Sequence, residues 1–299
     1  MRLQGRPDPD LHLRDLYTYE LWKMVVETYS RMQLTKFEDK LIALSGVARL
    51  FQESLFKLEP RPQYFAGLWG TCLESQLLWS VNDVYKGNGV FDNPAQRHTD
   101  SGPSFSWASI DSPHGITYND VTDYRSSSDT AGELLFKAVD YSIELADPEN
   151  PFGMVTGGRL LLAPRHLRRI ELYKLPVWLQ SPFAWRLKIE PPPKRPKEYA
   201  NIYLDAPDSD VEIFRADVQM YCMPAAYGER TEKKEDRDLL CLLLKYEGSI
   251  SFTSSGNGRK EGRYRAFRRV GIAKLSAFPN EHEHNALKEE TTNEIICLC

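Results

Sequence analysis

The sequence predicts an α+β fold: an N-terminal layer of about three amphipathic helices, followed by a β-rich region built as a sandwich or a partly closed barrel. Three observations carry this reading. Apolar residues recur with a helical period from Trp22 to Leu77. After about residue 83 turn chemistry takes over, with Gly87, Gly89, Pro94 and the run from Asp100 to Pro103. From Phe105 onward, short apolar runs alternate with polar loops, as strands do.

Residues 1–10 carry Pro7 and Pro9 among charges and are expected to be loose, with order from about residue 16. Trp22, Val25, Val26 and Tyr29 then stand at i, i+3, i+4 and i+7, which makes one helical face apolar. Thr35 followed by Glu38 has the spacing of a capping box. It is expected to open a second helix with Leu41, Leu44, Ala48 and Phe51 on one stripe. Pro60 and Pro62 prevent continuation. A third helix is expected to turn Phe65, Leu68, Trp69, Cys72, Leu73 and Leu77 inward. The chain thus divides into a helical region over residues 1–103 and a β-rich region over 104–299.

Strand candidates in the second region are 104–110, 115–118, 133–145, 153–163, 167–174, 184–190, 200–204, 211–223, 238–246, 249–254, 263–275 and 293–298; the stretch 134–143 is ambiguous with helix. Ser254 to Gly258 reads as a hairpin connection, with glycines free to take positive φ. Long surface loops are expected near 120–130, 191–199 and 229–237. The second contains the polyproline run Pro191 to Pro196, a stiff connection between strands or an SH3-type ligand.

The bulk properties narrow the function classes. With 41% hydrophobic and 27% charged residues the composition is that of an ordinary globular protein. A net charge of −4 argues against nucleic-acid binding, which rests on a basic excess. Five cysteines, an odd number, do not suggest a disulfide framework. There is no apolar signal segment, no run long enough to span a bilayer and no Asn-X-Ser/Thr acceptor. A cytoplasmic protein with no membrane or nucleic-acid partner is expected.

Catalytic candidates do not stand out. Glu281-His-Glu-His284 offers metal ligands, but its histidines lie two apart rather than four and read as a solvated loop. His114 sits in a turn between Pro113 and Gly115, and His166 stands beside Arg165, Arg168 and Arg169, with no nucleophile partner evident for either. No dinucleotide fingerprint, P-loop or nucleophile elbow occurs, and carboxylate pairs such as Glu38/Asp39 or Asp208/Asp210 are too common to mark a site. Arg263, Arg265 and Arg269 alternate onto one strand face, which reads either as an anion or phosphate patch or, more plainly, as the charged outer face of a half-buried or edge strand. Ile295-Ile-Cys-Leu-Cys299 ends in Cys-X-Cys, as lipidated Rab-type GTPases do, but it also reads as a last apolar strand with core cysteines. The tryptophans could stack on sugars; Trp22, Trp69 and Trp107 instead fall on expected core faces. No catalytic, cofactor-binding or metal-binding residue is assigned.

Three phrases carry a family resemblance. The first is Trp22-Lys-Met-Val-Val-Glu27 with Tyr29-Ser30, Leu34-Thr35 and Asp39-Lys40-Leu41-Ile-Ala-Leu44-Ser-Gly-Val-Ala48. The second is Tyr64-Phe-Ala-Gly-Leu-Trp69 with Leu77-Leu-Trp79. The third is Pro103-Ser-Phe-Ser-Trp-Ala-Ser-Ile110. Phe267-Arg-Arg-Val-Gly-Ile272 adds a fainter match. In this order they resemble the region that follows the effector domain of fungal heterokaryon-incompatibility (HET) domain proteins. The HET domain's own phrases, of the Ser-Tyr-Cys-Trp-Gly type, are absent. The resemblance implies a non-catalytic recognition or regulatory region in self/non-self recognition and programmed cell death. Its partner would be a protein, either an incompatibility partner or a HET effector domain. An enzyme or carbohydrate-binding module with a site in the β-rich region is the alternative. Residue by residue, the phrases read as structure. Asp39 complements a helix dipole, Ser45-Gly46 and Ala66-Gly67 permit close approach, and Trp107 plugs the junction between helices and sheet.

Overall fold

The computed structural model describes residues 16–32, 34–55, 61–87, 90–98, 101–119, 134–176, 182–191, 194, 197–228, 238–253, 261–276 and 285–299. Helices α1 (Leu16–Tyr29) and α2 (Lys40–Leu50) form where the apolar period places them. Trp22, Val26, Leu41, Leu44, Ala48 and Phe51 are all buried. The capping box is not formed. A 3₁₀ turn, Phe37–Asp39, precedes α2, and neither Lys36 nor Asp39 makes a side-chain cap hydrogen bond. The apolar stripe, rather than a cap, anchors this helix. Gly46 also differs from its expected role: it lies on the exposed face, and a Cβ there would meet nothing within 4 Å.

The expected third helix is replaced by a hairpin. Strands β1 (Tyr64–Phe65) and β2 (Leu68–Trp69) pair antiparallel, and only one helical turn follows, α3 (Leu73–Gln76). Ala66 at φ 49° and Gly67 at φ 85° hold the two central turn positions. Positive φ at both is the geometry that matches strand twist in two-residue hairpins. The apolar period misled because Tyr64 to Trp69 are buried on every side, so burial there does not report a helical face. Gln76 replaces the missing helical ladder. Its Oε1 accepts from Trp69 N (2.9 Å), and its Nε2 donates to the carbonyls of Trp69, Thr71 and Cys72 at 3.0–3.1 Å.

Small strand pairs then carry the chain toward the main sheet. They are β3 (Trp79–Val81), β4 (Val84–Gly87), β5 (Val90–Asp92), β6 (Gln96–Arg97), β7 (Ile110–Asp111) and β8 (Ile116–Tyr118). The pairings are β3 with β8, β4 with β5, and β6 with β7. Most of the candidate strand 104–110 is instead a loop and a 3₁₀ turn, Trp107–Ser109.

Among the described residues the main sheet has nine strands: β9 (Phe136–Leu145), β10 (Val155–Pro164), β11 (Arg168–Lys174), β12 (Phe183–Leu187), β13 (Ile202–Leu204), β14 (Met220–Tyr227), β15 (Leu239–Thr253), β16 (Glu261–Leu275) and β17 (Ile296–Leu298). Their order is β12-β11-β14-β15-β16-β17-β10-β9. Strand β13 pairs with β16 on the same edge as β17, at a different height. Every pair is antiparallel except β16 with β17. The ambiguous stretch 134–143 is strand, and the candidate 211–223 splits into a 3₁₀ turn (Val211–Phe214) and the start of β14. The candidates 238–246 and 249–254 are one strand, bent where Gly248 takes φ 109° in a bulge. The loops near 120–130 and 229–237, most of the polyproline run, and the connection Ser254 to Gly258 lie outside the described residues, although Thr253 faces Glu261 across that connection.

Strand β15 shows why the sheet is central. Leu240, Leu242 and Leu244 join the large core that also holds Trp22, Trp69, Trp107 and Leu298. Leu239, Cys241 and Leu243 join a second core with Ile170, Trp185, Val270 and Leu275. A strand buried on both faces reads as an unbroken apolar run, as Leu239 to Leu244 does. The result is a mixed α+β protein dominated by one large sheet. Among the described residues no helix is long and apolar enough to cross a membrane.

Candidate functional site

Two junctions tie the N-terminal elements to the sheet, and a cavity opens beside the second. The first is aromatic. The Gly67 carbonyl accepts the indole N–H of Trp22 (3.2 Å) and of Trp107 (3.1 Å). Ser106 Oγ donates to Ala66 O at 2.6 Å while accepting from Ala108 N at 3.1 Å, so it caps the turn that carries Trp107. Trp22 meets Phe51, Tyr64 and Trp69 edge-on, at centroid distances of 5.1–5.9 Å. Polar groups of α1 complete the seam. Ser30 Oγ accepts from Ile116 N (3.0 Å), Glu27 Oε1 accepts from Tyr118 N (2.7 Å), and Tyr29 Oη donates to Lys40 O (2.8 Å). Lys40 is buried and donates to Ile110 O at 2.5 Å. Burial pulls its ammonium down to about 8, against the pull of Asp111.

The second junction is charged. Arg269, fully buried on β16, forms a bidentate pair with Asp205, with both N–O distances 3.1 Å. It also donates to the carbonyls of Leu77 (2.7 Å) and Trp79, and its guanidinium lies 3.3 Å from the Trp79 ring centroid. Arg97 on β6 reaches Asp210 (3.0 Å), Asp205 (3.5 Å) and the Arg269 carbonyl (3.1 Å). Arg268 pairs with Asp210, with Glu212 and with Glu247 (3.1 Å), and Lys245 contacts both of those glutamates. Four cations thus face four carboxylates. Burial lowers the Arg269 guanidinium, with Asp205 opposing it. Burial also works against Arg268, but Asp210, Glu247 and Glu212 raise it above its usual range.

The cavity, of about 340 Å³, lies between the 97–109 segment and the sheet, with Arg97, Arg159, Arg268, Glu144 and Cys299 in its wall. Gly157 and Gly158 line the same cavity. A Cβ on Gly158 would stand 2.7 Å from Ile143 Cδ1 and 3.0 Å from Pro103 Cγ, so only glycine lets the loop at Pro103 pack this close. Arg97 Nη1 is buried without a hydrogen-bond partner. Ser104 anchors the loop at its far end, donating from its backbone N (3.3 Å) and its hydroxyl to Cys299 O.

The arginine stripe needs correction. Arg263 is exposed and Arg265 half-buried, but Arg269 is buried rather than on a charged outer face, because Asp205 and two carbonyls satisfy it. His166 is buried with Nδ1 3.0 Å from Glu290 O, and His114 is exposed. Glu281 to His284 and Trp178 lie outside the described residues. The other five tryptophans are fully buried. The described residues hold no group of three or more His, Cys, Asp or Glu side chains that could bind a metal. Arg97 and Asp205 were not legible from the sequence, since nothing local connects residues 97, 205 and 269. No protein-family model, curated protein or solved structure matches the chain.

Proposed function

We propose that this chain is a non-catalytic recognition or regulatory region of the fungal heterokaryon-incompatibility type, acting on a protein partner, either an incompatibility partner or a HET effector domain. The supporting observation is convergence. The three phrases of the resemblance are far apart in sequence, yet Trp22, Gly67 and Trp107, one from each, meet at a single carbonyl. The fainter fourth phrase supplies Arg269, which grips Leu77 and Trp79 of the second. That these separate phrases fold into one connected seam supports reading them as parts of one scaffold.

A protein partner also suits the surface. Of the eleven large apolar side chains exposed among the described residues, six fall on α1, α2 and the link between them: Leu21, Met24, Met32, Ile42, Val47 and Leu50. Exposed apolar groups gathered on one layer mark contact surfaces better than scattered ones do. Sugar stacking, by contrast, needs open aromatic faces, which the five buried tryptophans do not offer.

The test is expression in a filamentous fungus. The chain alone should leave hyphal growth unchanged, and co-expression with a HET effector domain should shift the growth arrest that domain causes. Met24→Glu with Leu50→Glu should abolish the shift without lowering the melting temperature. Arrest that is indifferent to the chain would overturn the proposal.

A further inference from the structure

A second cavity, of about 460 Å³, opens at the β12 end of the strand order. Its origin is a mismatch of pairing lengths. Strand β11 pairs with β12 as far as Lys174, opposite Phe183, but its pairing with β14 stops at Ile170, opposite Met220. Beyond that point the cavity has β11 on one side and residues 213–218 on the other. Phe214, stacked on Phe183 at a centroid distance of 5.4 Å, and Val218 make that other side apolar.

The β11–β12 side is cationic. In an antiparallel pair, residues directly opposite, and residues two apart, share a face. Glu171 stands opposite Arg186, and the Lys188 N–H donates to Arg169 O at 2.9 Å, which continues the same register. Arg169, Arg186 and Lys188 therefore share a face with one carboxylate, Glu171. That carboxylate is already in use: it accepts from Arg186 Nε at 2.9 Å and pairs with Lys188 at 3.4 Å. Arg169 is exposed, and its guanidinium has no ion pair or hydrogen bond among the described residues. It faces Lys188 across the ribbon, and like charges directly opposite cost stability unless an anion lies between them. The wall also holds Glu198 and Arg215, and Arg215 is neutralised by Asp217 at 2.7 Å. Four cations against three carboxylates leave one positive charge in excess, in a chain whose net charge is −4.

We propose that this cavity binds a small organic anion, a carboxylate carried on an apolar body. The carboxylate sits between Arg169 and Lys188, and the body lies against Phe214 and Val218. A guanidinium matches the two oxygens of a carboxylate, and a single negative charge neutralises the excess. Arg186 and Lys188 have side chains 37% and 28% exposed, so both are open to a ligand without leaving Glu171. The volume lies within the range of small-ligand sites, and one polar wall facing one apolar wall is the usual division of labour in them. The site is independent of the exposed apolar layer on α1 and α2.

The experiment titrates the purified chain calorimetrically with 2-naphthoate, with acetate, which has the charge without the body, and with 2-naphthol, which has the body without the charge at neutral pH. 2-Naphthoate should bind at one site per chain, several-fold more tightly than either of the others, and should raise the melting temperature. Arg169→Gln removes an exposed, unpaired side chain, so it should melt as the unmutated chain does while binding 2-naphthoate about tenfold more weakly. Arg159→Gln, in the other cavity, should bind it unchanged. Raising ionic strength should weaken 2-naphthoate toward 2-naphthol in the unmutated chain, which keeps the test valid if a variant folds poorly. Binding of 2-naphthoate no tighter than that of 2-naphthol, or equal binding by Arg169→Gln, would overturn the site.

Discussion

The two junctions perform the same task with opposite chemistry. At Gly67, neutral indole donors and aromatic edges close the gap between helices and loop. At Arg269, a fully desolvated guanidinium closes the gap between β16 and the start of β3. The aromatic seam gains from burial itself, while the charged one must first offset the cost of removing ions from water. The aromatic seam should therefore fail gradually and the charged one abruptly. A buried pair contributes little net stability when intact, but it is severe when halved, because the surviving charge has nowhere to go.

The largest expected effect follows from that asymmetry. Arg269→Ala leaves Asp205 buried, and the carbonyls of Leu77 and Trp79 lose their donor. Breaking such a pair costs about 3–5 kcal/mol, and each orphaned carbonyl adds roughly 1–3 kcal/mol. The variant should be largely unfolded at room temperature. Arg269→Met combined with Asp205→Leu should recover the share of the loss that belongs to the pair, since the acid is removed with the base, while the Leu77 and Trp79 carbonyls stay without their donor. If the double variant is as unstable as the single one in urea unfolding, the buried-charge account fails, and Arg97, which also reaches Asp205, becomes the main support.

Trp107→Ala tests the other side. Removing a fully buried indole costs about 3–5 kcal/mol, graded by how far the site collapses. Trp107→Phe should cost less, because Trp22 still donates to the Gly67 carbonyl. A thermal melt unchanged by Trp107→Ala would contradict the seam. Gly67→Ala should be milder, about 1–3 kcal/mol from positive φ and from crowding of the Trp107 ring, whose Nε1 would stand 2.7 Å from the new Cβ. Urea midpoints that rank Gly67→Ala above Trp107→Ala would reverse this ordering.

The contrast also explains what the sequence could reveal. Helices α1 and α2 and most sheet strands were legible, because their apolar periods report a real face. The stretch from Tyr64 to Trp69 was not, because a segment buried on all sides has no face to report. The aromatic seam was half legible: the phrases stood out, and Trp107 was placed at the junction. The charged seam was invisible. Asp205 and Arg269 are 64 residues apart, and an arginine on a strand reads as solvent-facing until its distant carboxylate is known. The cavity shares this origin, since its wall draws on strands far apart in the chain.

Lys40 stands where the two chemistries meet, a buried cation inside the aromatic seam, and it gives the most diagnostic effect. Its ammonium lies 4.8 Å from the Phe37 ring centroid and 5.6 Å from that of Trp107. Cation–π attraction of about 1–2 kcal/mol would favour keeping the charge. A drop from 10.5 to about 8 means that burial outweighs it, by roughly 3 kcal/mol at neutral pH. The sign follows from proton counts. Between about pH 8 and 10.5 the unfolded chain holds more protons at this position, so stability rises with pH through that window, and below about 8 the full cost of the buried charge is present. Tyr29 acts in the opposite sense: its hydroxyl is raised by burial and by Asp39 to about 12, so its contribution fades only above pH 10. Buried Cys241 and Cys297, whose thiols are held above their usual range, lose stability over the same window, so the lysine is isolated by comparing urea midpoints of the unmutated chain and Lys40→Met at pH 7 and pH 9.5. Lys40→Met should be the more stable form at pH 7, with the advantage shrinking at pH 9.5. A difference between the two proteins that does not change with pH would mean that burial does not hold the Lys40 ammonium below its usual range.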